Sequence, residues 1–152
     1  MTVVPVCREI VVAAPQDRAF DVFARRMGSW WNPLHHILDE ELADVVLEPR
    51  VGGRWAEVGR SGAEYSWGHV LVWEPPSRVV LAWQLDTQWE FARDLETEVE
   101  VRFVPVDDDH TRVELEHRHL DRYGADAPEM HRTLDSPDGW NGLLARYADV
   151  VG

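Results

Sequence analysis

The chain has 152 residues, 45% of them apolar, and a formal charge of −13 from 28 acidic and 15 basic side chains. Charge of that sign is repelled by phosphate backbones and anionic bilayers, which sets nucleic acid and lipid surfaces aside as partners. Every basic residue is arginine, so chemistry that needs a lysine, whether a Schiff base or a phosphate-loop contact, is excluded. Cys7 is the single cysteine and lies in VCREIVV, where a small buried hydrophobe is expected rather than a nucleophile. One cysteine forms no intrachain disulfide, and no apolar run approaches the ~18 residues of a membrane span. The expected location is cytoplasmic.

In chain order, residues 3–15 read as a β-branched strand ended by Pro15. Residues 15–27 read as a helix whose buried face carries Ala19, Phe20, Phe23, Ala24 and Met27. GSWWNP then makes a sharp turn with Trp30 and Trp31 between Gly28 and Pro33, and HHILDEELAD continues as a polar connector. From about residue 43 the pattern is strands: ADVVLEP, GRWAEVG, EYSWGHVLVWEPP, RVVLAWQL, LETEVEVRFVPV and TRVELEHRHL. Their separators are mostly short and turn-like, as in an antiparallel meander of hairpins. Alternation puts Val99, Val101 and Phe103 on one face and Glu98, Glu100 and Arg102 on the other; Val113, Leu115, His117 and His119 share a face in the next strand. PEMHRTLD reads as a short helix. Ser136 then caps, Pro137 takes the first helical position, and Trp140, Leu143, Leu144, Tyr147, Ala148 and Val151 form one stripe to the end. Gly139, beside Trp140, is the place where neighbouring groups come close. With no repeat and no linker, residues 1–152 are expected to form one domain.

Strand, helix, meander and terminal helix in that order suit a curved antiparallel sheet gripping a helix. VGGRWAEVG, EYSWGHVLVWEPPSRVVLAWQL, EVEVRFVPVDDDHTRVELEHRHLDRYG and DSPDGWNGLLARY together resemble the bacterial branch of the START-like SRPBCC superfamily, and more narrowly the activator of Hsp90 ATPase homologue (AHSA1)-like family. The resemblance covers most of the chain, more loosely at the first strand and helix. It implies an α+β helix-grip fold, with a curved antiparallel sheet wrapped around a long C-terminal helix. It also implies a cavity between sheet and helix and a hydrophobic small molecule as the common partner. It carries no catalytic motif to numbered positions.

His35 and His36, followed by Asp39, Glu40 and Glu41, match no zinc-site spacing, and a solvated connector explains them; no metal ligand and no cofactor is assigned. His117, and with it His119, should face the helix, where histidine orients a polar ligand group or acts as a base; a satisfied core histidine is the plainer alternative. Trp67, His69, Leu71 and Trp73 share one parity, and either face of their strand could turn inward. Trp83 is interior. Glu98 with Glu100 and Glu114 with Glu116 lie on an outer, arginine-rich face, which accounts for them without carboxylate catalysis. Eight tryptophans against four phenylalanines suit a cavity wall, because indole brings area and one orienting N–H.

The expected site therefore has Trp140 and Leu144 on the helix side, Trp83, His117, Trp67 and His69 on the sheet side, and Trp30 and Trp31 near the mouth. The leading function is binding of a hydrophobic, aromatic or lipid-like molecule. The alternatives are an Hsp90 co-chaperone-like interaction module and a cyclase- or aromatase-like enzyme using the same cavity. No catalytic residue is assigned, and a homodimer remains open.

Overall fold

The computed structural model describes residues 3–152; residues 1 and 2 of the expected domain lie outside the described part. Seven strands form one antiparallel sheet in the order β1-β7-β6-β5-β4-β3-β2. They are β1 (Val6–Val12), β2 (Leu42–Leu47), β3 (Arg54–Gly59), β4 (Glu64–Glu74), β5 (Arg78–Trp83), β6 (Thr97–Asp107) and β7 (His110–Arg118). From β2 to β7 each strand pairs with the next in sequence, the meander expected from the short separators. β1 pairs instead with β7, Val6 opposite His117 and Val12 opposite Thr111. The segment after β1 therefore crosses the whole sheet to reach β2 on the far edge.

That crossing carries α1 (Gln16–Arg25), which buries Ala19, Phe20, Val22, Phe23 and Ala24. Phe20 and Phe23 meet the Phe103 ring edge-on at 5.1 and 5.7 Å, a geometry the aromatic quadrupole favours. Pro15 stays extended just ahead of the helix, and its carbonyl accepts the first-turn bond from Ala19 N–H. At the other end of the chain, α3 (Gly142–Val151) packs over α1, and the Tyr147 hydroxyl donates to Ala19 O at 2.7 Å. Val79, Leu81, Val99, Val101, Phe103, Val113 and Leu115 are buried on the inner face beneath these helices.

The outer face of the same strands carries charge. Glu100 there is 7% exposed and accepts from Arg78 at 2.5 Å and Arg102 at 3.0 Å through one oxygen, and from Arg118 at 2.5 Å through the other. Arg118 also pairs with Glu98 and Glu116, and Arg112 with Glu114. These acids lie on the outer face that alternation assigned to them.

Alternation does not hold through β4. A bulge opposite the Trp55–Ala56 step inserts Trp67, and a second inserts Leu71 between Val70 and Val72. Each extra residue reverses the parity of the residues after it. Trp67 and Val70 are buried inward, whereas His69 lies opposite Ala82 on the outer face and its Nδ1 meets Gln84 Oε1 at 2.9 Å. His69 is thus removed from the cavity. His119 is removed as well: β7 ends at Arg118, and His119 turns left-handed (φ 65°) with its ring half-exposed beside Glu98.

The C-terminal helical run is built in pieces. A 3-10 stretch, Leu120–Asp126, leads to α2 (Ala127–Leu134); a wide π-type turn, Pro137–Asn141, precedes α3. The Ser136 hydroxyl does not cap the following turn; it donates back to Thr133 O at 2.7 Å and closes α2. Gly139 does allow close approach. A Cβ at that position would lie 2.2 Å from Leu134 O and 2.7 Å from Thr133 O. Only a residue without a side chain lets the turn fold back on α2 and bring Trp140 inward.

Candidate ligand cavity

Five indoles close on one another in a circuit at the open end of the grip. Trp31 meets Trp67 at 4.8 Å and Trp67 meets Trp55 at 5.6 Å; Trp55 meets Trp83 at 5.7 Å, Trp83 meets Trp140 at 5.8 Å, and Trp140 returns to Trp31 at 6.1 Å. Their planes are tilted or edge-on throughout, so each ring edge faces a neighbouring ring face. Trp55 is the deepest member, its N–H directed to Met27 Sδ at 3.2 Å. A cavity of about 330 Å³ opens against the other four, and Leu85, Leu134, Leu143, Leu34, Ile37 and Trp89 complete its apolar wall. Polar groups enter from His35, His36, Thr133, Ser136 and Asp138. The volume falls at the lower end of ligand clefts, about 300–1,000 Å³.

Of the residues expected to line a site, Trp31, Trp67, Trp83 and Trp140 do so. Trp30 does not stand at the mouth. Its N–H donates to Val22 O at 3.1 Å, and its ring packs on Phe23 and Tyr147 in the core, with the Trp31 ring 5.7 Å away. Leu144 is likewise buried beneath the cavity, and Leu143 takes the lining position.

His117 is fully buried, one layer behind Trp83 and Trp140. Trp140 N–H donates to its Nδ1 at 3.1 Å, so Nδ1 carries no proton. Nε2–H then donates to Thr97 Oγ1 at 2.8 Å, and that hydroxyl donates to Trp83 O at 3.1 Å. Every ring position is used, and burial pushes the imidazole down to about 3. His117 is a neutral, saturated group that fixes Trp140 against β7 and leaves no lone pair for a ligand or a proton.

Two features of the wall have only a faint signal in the sequence. One is Glu57 on β3, whose side chain turns inward and is completely buried. Its Oε1 accepts from Ile37 N–H at 2.7 Å and Trp67 Nε1–H at 2.9 Å, and its Oε2 from Leu38 N–H at 3.0 Å. One carboxylate thus ties a wall indole to the loop that the sequence presents as a solvated connector. Trp31 N–H donates to His35 O at 3.0 Å in the same loop. The pattern that could have betrayed this loop is its mixture: WWNPLHHIL sets Leu34 and Ile37 around two histidines, too apolar for a purely solvated strap. The other is Trp89, which has φ 61° and is 40% exposed at the rim with its ring 6.4 Å from Trp83. Left-handed backbone is unusual for a bulky residue and occurs at ligand clamps among other places.

The family model for activator of Hsp90 ATPase homolog 1-like proteins matches residues 13–152. This chain belongs to the AHSA1-like family. Among solved structures, the AHSA1-like chain is 40% identical to an anthrahydroquino-gamma-pyrone synthase, Txn09, covering 98% of this chain and 97% of that one with a TM-score of 0.69. It is 27% identical to CalC, a self-sacrificing resistance protein from Micromonospora echinospora, over 97% and 93% of the two chains, TM-score 0.69. Protein NE0264 from Nitrosomonas europaea shares the fold at 14% identity and TM-score 0.70, over 97% and 94%. The search of curated proteins gives no match. Among the described residues, no helix is long and apolar enough to cross a membrane.

Proposed function

We propose that this AHSA1-like chain binds a planar, polycyclic aromatic small molecule in the tryptophan-walled cavity. The observation that carries this reading is the set of indoles, Trp31, Trp67, Trp83, Trp140 and Trp89, around a space of about 330 Å³ with polar groups at a few points of its wall. Indole walls supply stacking area at little rotamer cost, and isolated polar groups set the ligand's orientation. A volume near the lower limit suits a few fused rings better than a long acyl chain. The 40% identity to a synthase named for an anthrahydroquinone-pyrone supports the same ligand class. That identity also favours a second reading, a ring-forming enzyme acting within this cavity. The Hsp90 co-chaperone alternative rests on the family description alone.

The test is a titration with anthraquinone, followed by quenching of the cavity tryptophans and by thermal unfolding. At 100 times the dissociation constant a bound ligand stabilises by about 2.7 kcal/mol, a rise of roughly 5–10 °C for a domain of this size. Trp89→Ala, at the exposed rim, should weaken binding about three- to tenfold while leaving the unliganded melting temperature nearly unchanged. Absence of both quenching and a thermal shift at saturating probe would sink the proposal.

A further inference from the structure

The wall of the cavity contains an acceptor whose tautomer is fixed by its surroundings and whose free side has no partner. His36 Nδ1 lies 2.7 Å from Leu38 O. A carbonyl oxygen only accepts, so Nδ1 bears the proton, and in the neutral ring Nε2 is left with a lone pair. Among the described residues no hydrogen bond reaches Nε2, and His36 is one of the residues that line the cavity. Contrast His117, where both nitrogens are taken.

The acceptor is also held in place. Ile37 N–H and Leu38 N–H, immediately after His36, both end on the buried Glu57 carboxylate. Residue 38 therefore serves twice, its N–H anchored to β3 and its carbonyl orienting the histidine. Trp67 hangs from the same carboxylate, which keeps the stacking wall and the acceptor in one rigid unit. Such preorganisation lets a bond form without the ordering cost of a mobile side chain. At the neighbouring His35, burial lowers the imidazole pKa more than Asp138 raises it.

From this we infer that His36 is the specificity residue of the cavity: its Nε2 accepts a hydrogen bond from a phenolic hydroxyl, so the preferred ligand is a hydroxylated aromatic rather than a bare one. The inference rests on the aromatic-ligand reading above and names the substituent that reading leaves open. A site built to pair a hydroxyl discriminates against the analogue that lacks it, since the polar group is then left desolvated and unpaired.

The test uses two probes, anthraquinone and 2-hydroxyanthraquinone, on the whole protein and on His36→Leu, which keeps bulk but has no acceptor. The wild-type protein should bind the hydroxylated probe at least about tenfold more tightly, the effect of one good hydrogen bond. In His36→Leu the two probes should bind alike, the tenfold preference being lost, while a cooperative thermal transition shows that the variant is folded. If the wild-type protein binds both probes equally, or His36→Leu keeps the wild-type ratio, His36 is not the selector while the aromatic cavity stands. If anthraquinone itself fails to bind the wild-type protein, the cavity reading falls and this inference with it.

Discussion

Two buried carboxylates, one on each face of the sheet, are satisfied in opposite ways. Glu100 on the outer face is neutralised by guanidinium groups from Arg78, Arg102 and Arg118, all on β5, β6 and β7. Glu57 on the inner face meets no cation; three N–H dipoles take its oxygens, two from the loop after α1 and one from an indole. The charge-assisted guanidinium bonds to Glu100 join strands that already lie side by side, so they add cohesion to a register set by the backbone. The bonds to Glu57 reach from β3 to a loop and an indole, so their directionality specifies where that loop and ring must sit. The outer face is therefore cohesive, and the inner face is positional. The same contrast separates Arg118, shared among Glu98, Glu100 and Glu116, from His117, one residue earlier, which has one bond at each nitrogen.

The hardest way to break this contrast is Glu57→Ala. One buried indole N–H and two partly buried backbone N–H groups would lose their acceptor at once, and the expected cost is about 3–5 kcal/mol, read from urea unfolding at pH 7. Glu57→Gln sharpens it. An amide oxygen in place of Oε1 can still accept from Ile37 and Trp67, but the amide nitrogen then faces the Leu38 N–H. This variant should fold, keep anthraquinone affinity and lose part of the preference for the hydroxylated probe, because Leu38 orients His36. Unchanged stability in Glu57→Ala would mean that the loop is held by other contacts.

The next effect is a pH dependence from His117. Burial holds its folded pKa at about 3, against 6.5 for a free histidine. The unfolded chain takes up the proton first, so the stability tied to the neutral ring is fully present above about 6.5. It declines as pH falls from there toward 3, by up to about 1.4 kcal/mol per pH unit. His35, also depressed, adds in the same direction. His117→Gln should lower stability at pH 7 by about 1–3 kcal/mol and flatten most of the slope between pH 6.5 and 4.5. A slope unaltered by that substitution would show that His117 is not what the acid is titrating.

Much of this architecture is legible in the residues. Clean alternation in ETEVEVRF and TRVELEH suffices to place Val99, Phe103 and His117 inward and Glu100 outward, since a period of two has one reading when one face is dry. Trp83 follows from the same logic and Trp140 from the helical stripe, whereas alternation leaves the face of Trp67 open, and Trp67 is itself the inserted residue of a bulge. What fails, fails where periodicity is interrupted. The bulges in β4 invert His69, and no local residue announces them except Gly68, whose Cβ would collide with Ala82 O at 1.7 Å. The π-type turn and tight packing leave Leu144 beneath the wall, and an irregular loop hides Trp89. Glu57 and His36 illustrate a different limit. Both are polar in stretches that read as strand edge and connector, and only the long-range bond between residues 57 and 37–38 brings them to the site.

Glu100 supplies the mildest and most selective test. Burial raises its pKa, but hydrogen bonds from Arg78, Arg118 and Arg102 outweigh that and hold the carboxyl at about 2, against 4.5 when free. Here the sign is that of a depressed acid: the stabilisation is complete above about pH 4.5 and disappears as pH falls toward 2, when the folded form must also take the proton. Glu100→Gln should cost only about 1–2 kcal/mol at pH 7, less than the pKa difference alone implies, because Arg102 is 58% exposed and water screens part of the interaction. Acid unfolding of the variant should be shallower between pH 4.5 and 2 than that of the wild-type protein, with the His117 slope at higher pH intact. Binding of anthraquinone and of its hydroxylated analogue should not change. A variant that lost ligand discrimination along with acid sensitivity would couple the two faces through β5 and β6, and the division between cohesive and positional surfaces would fail.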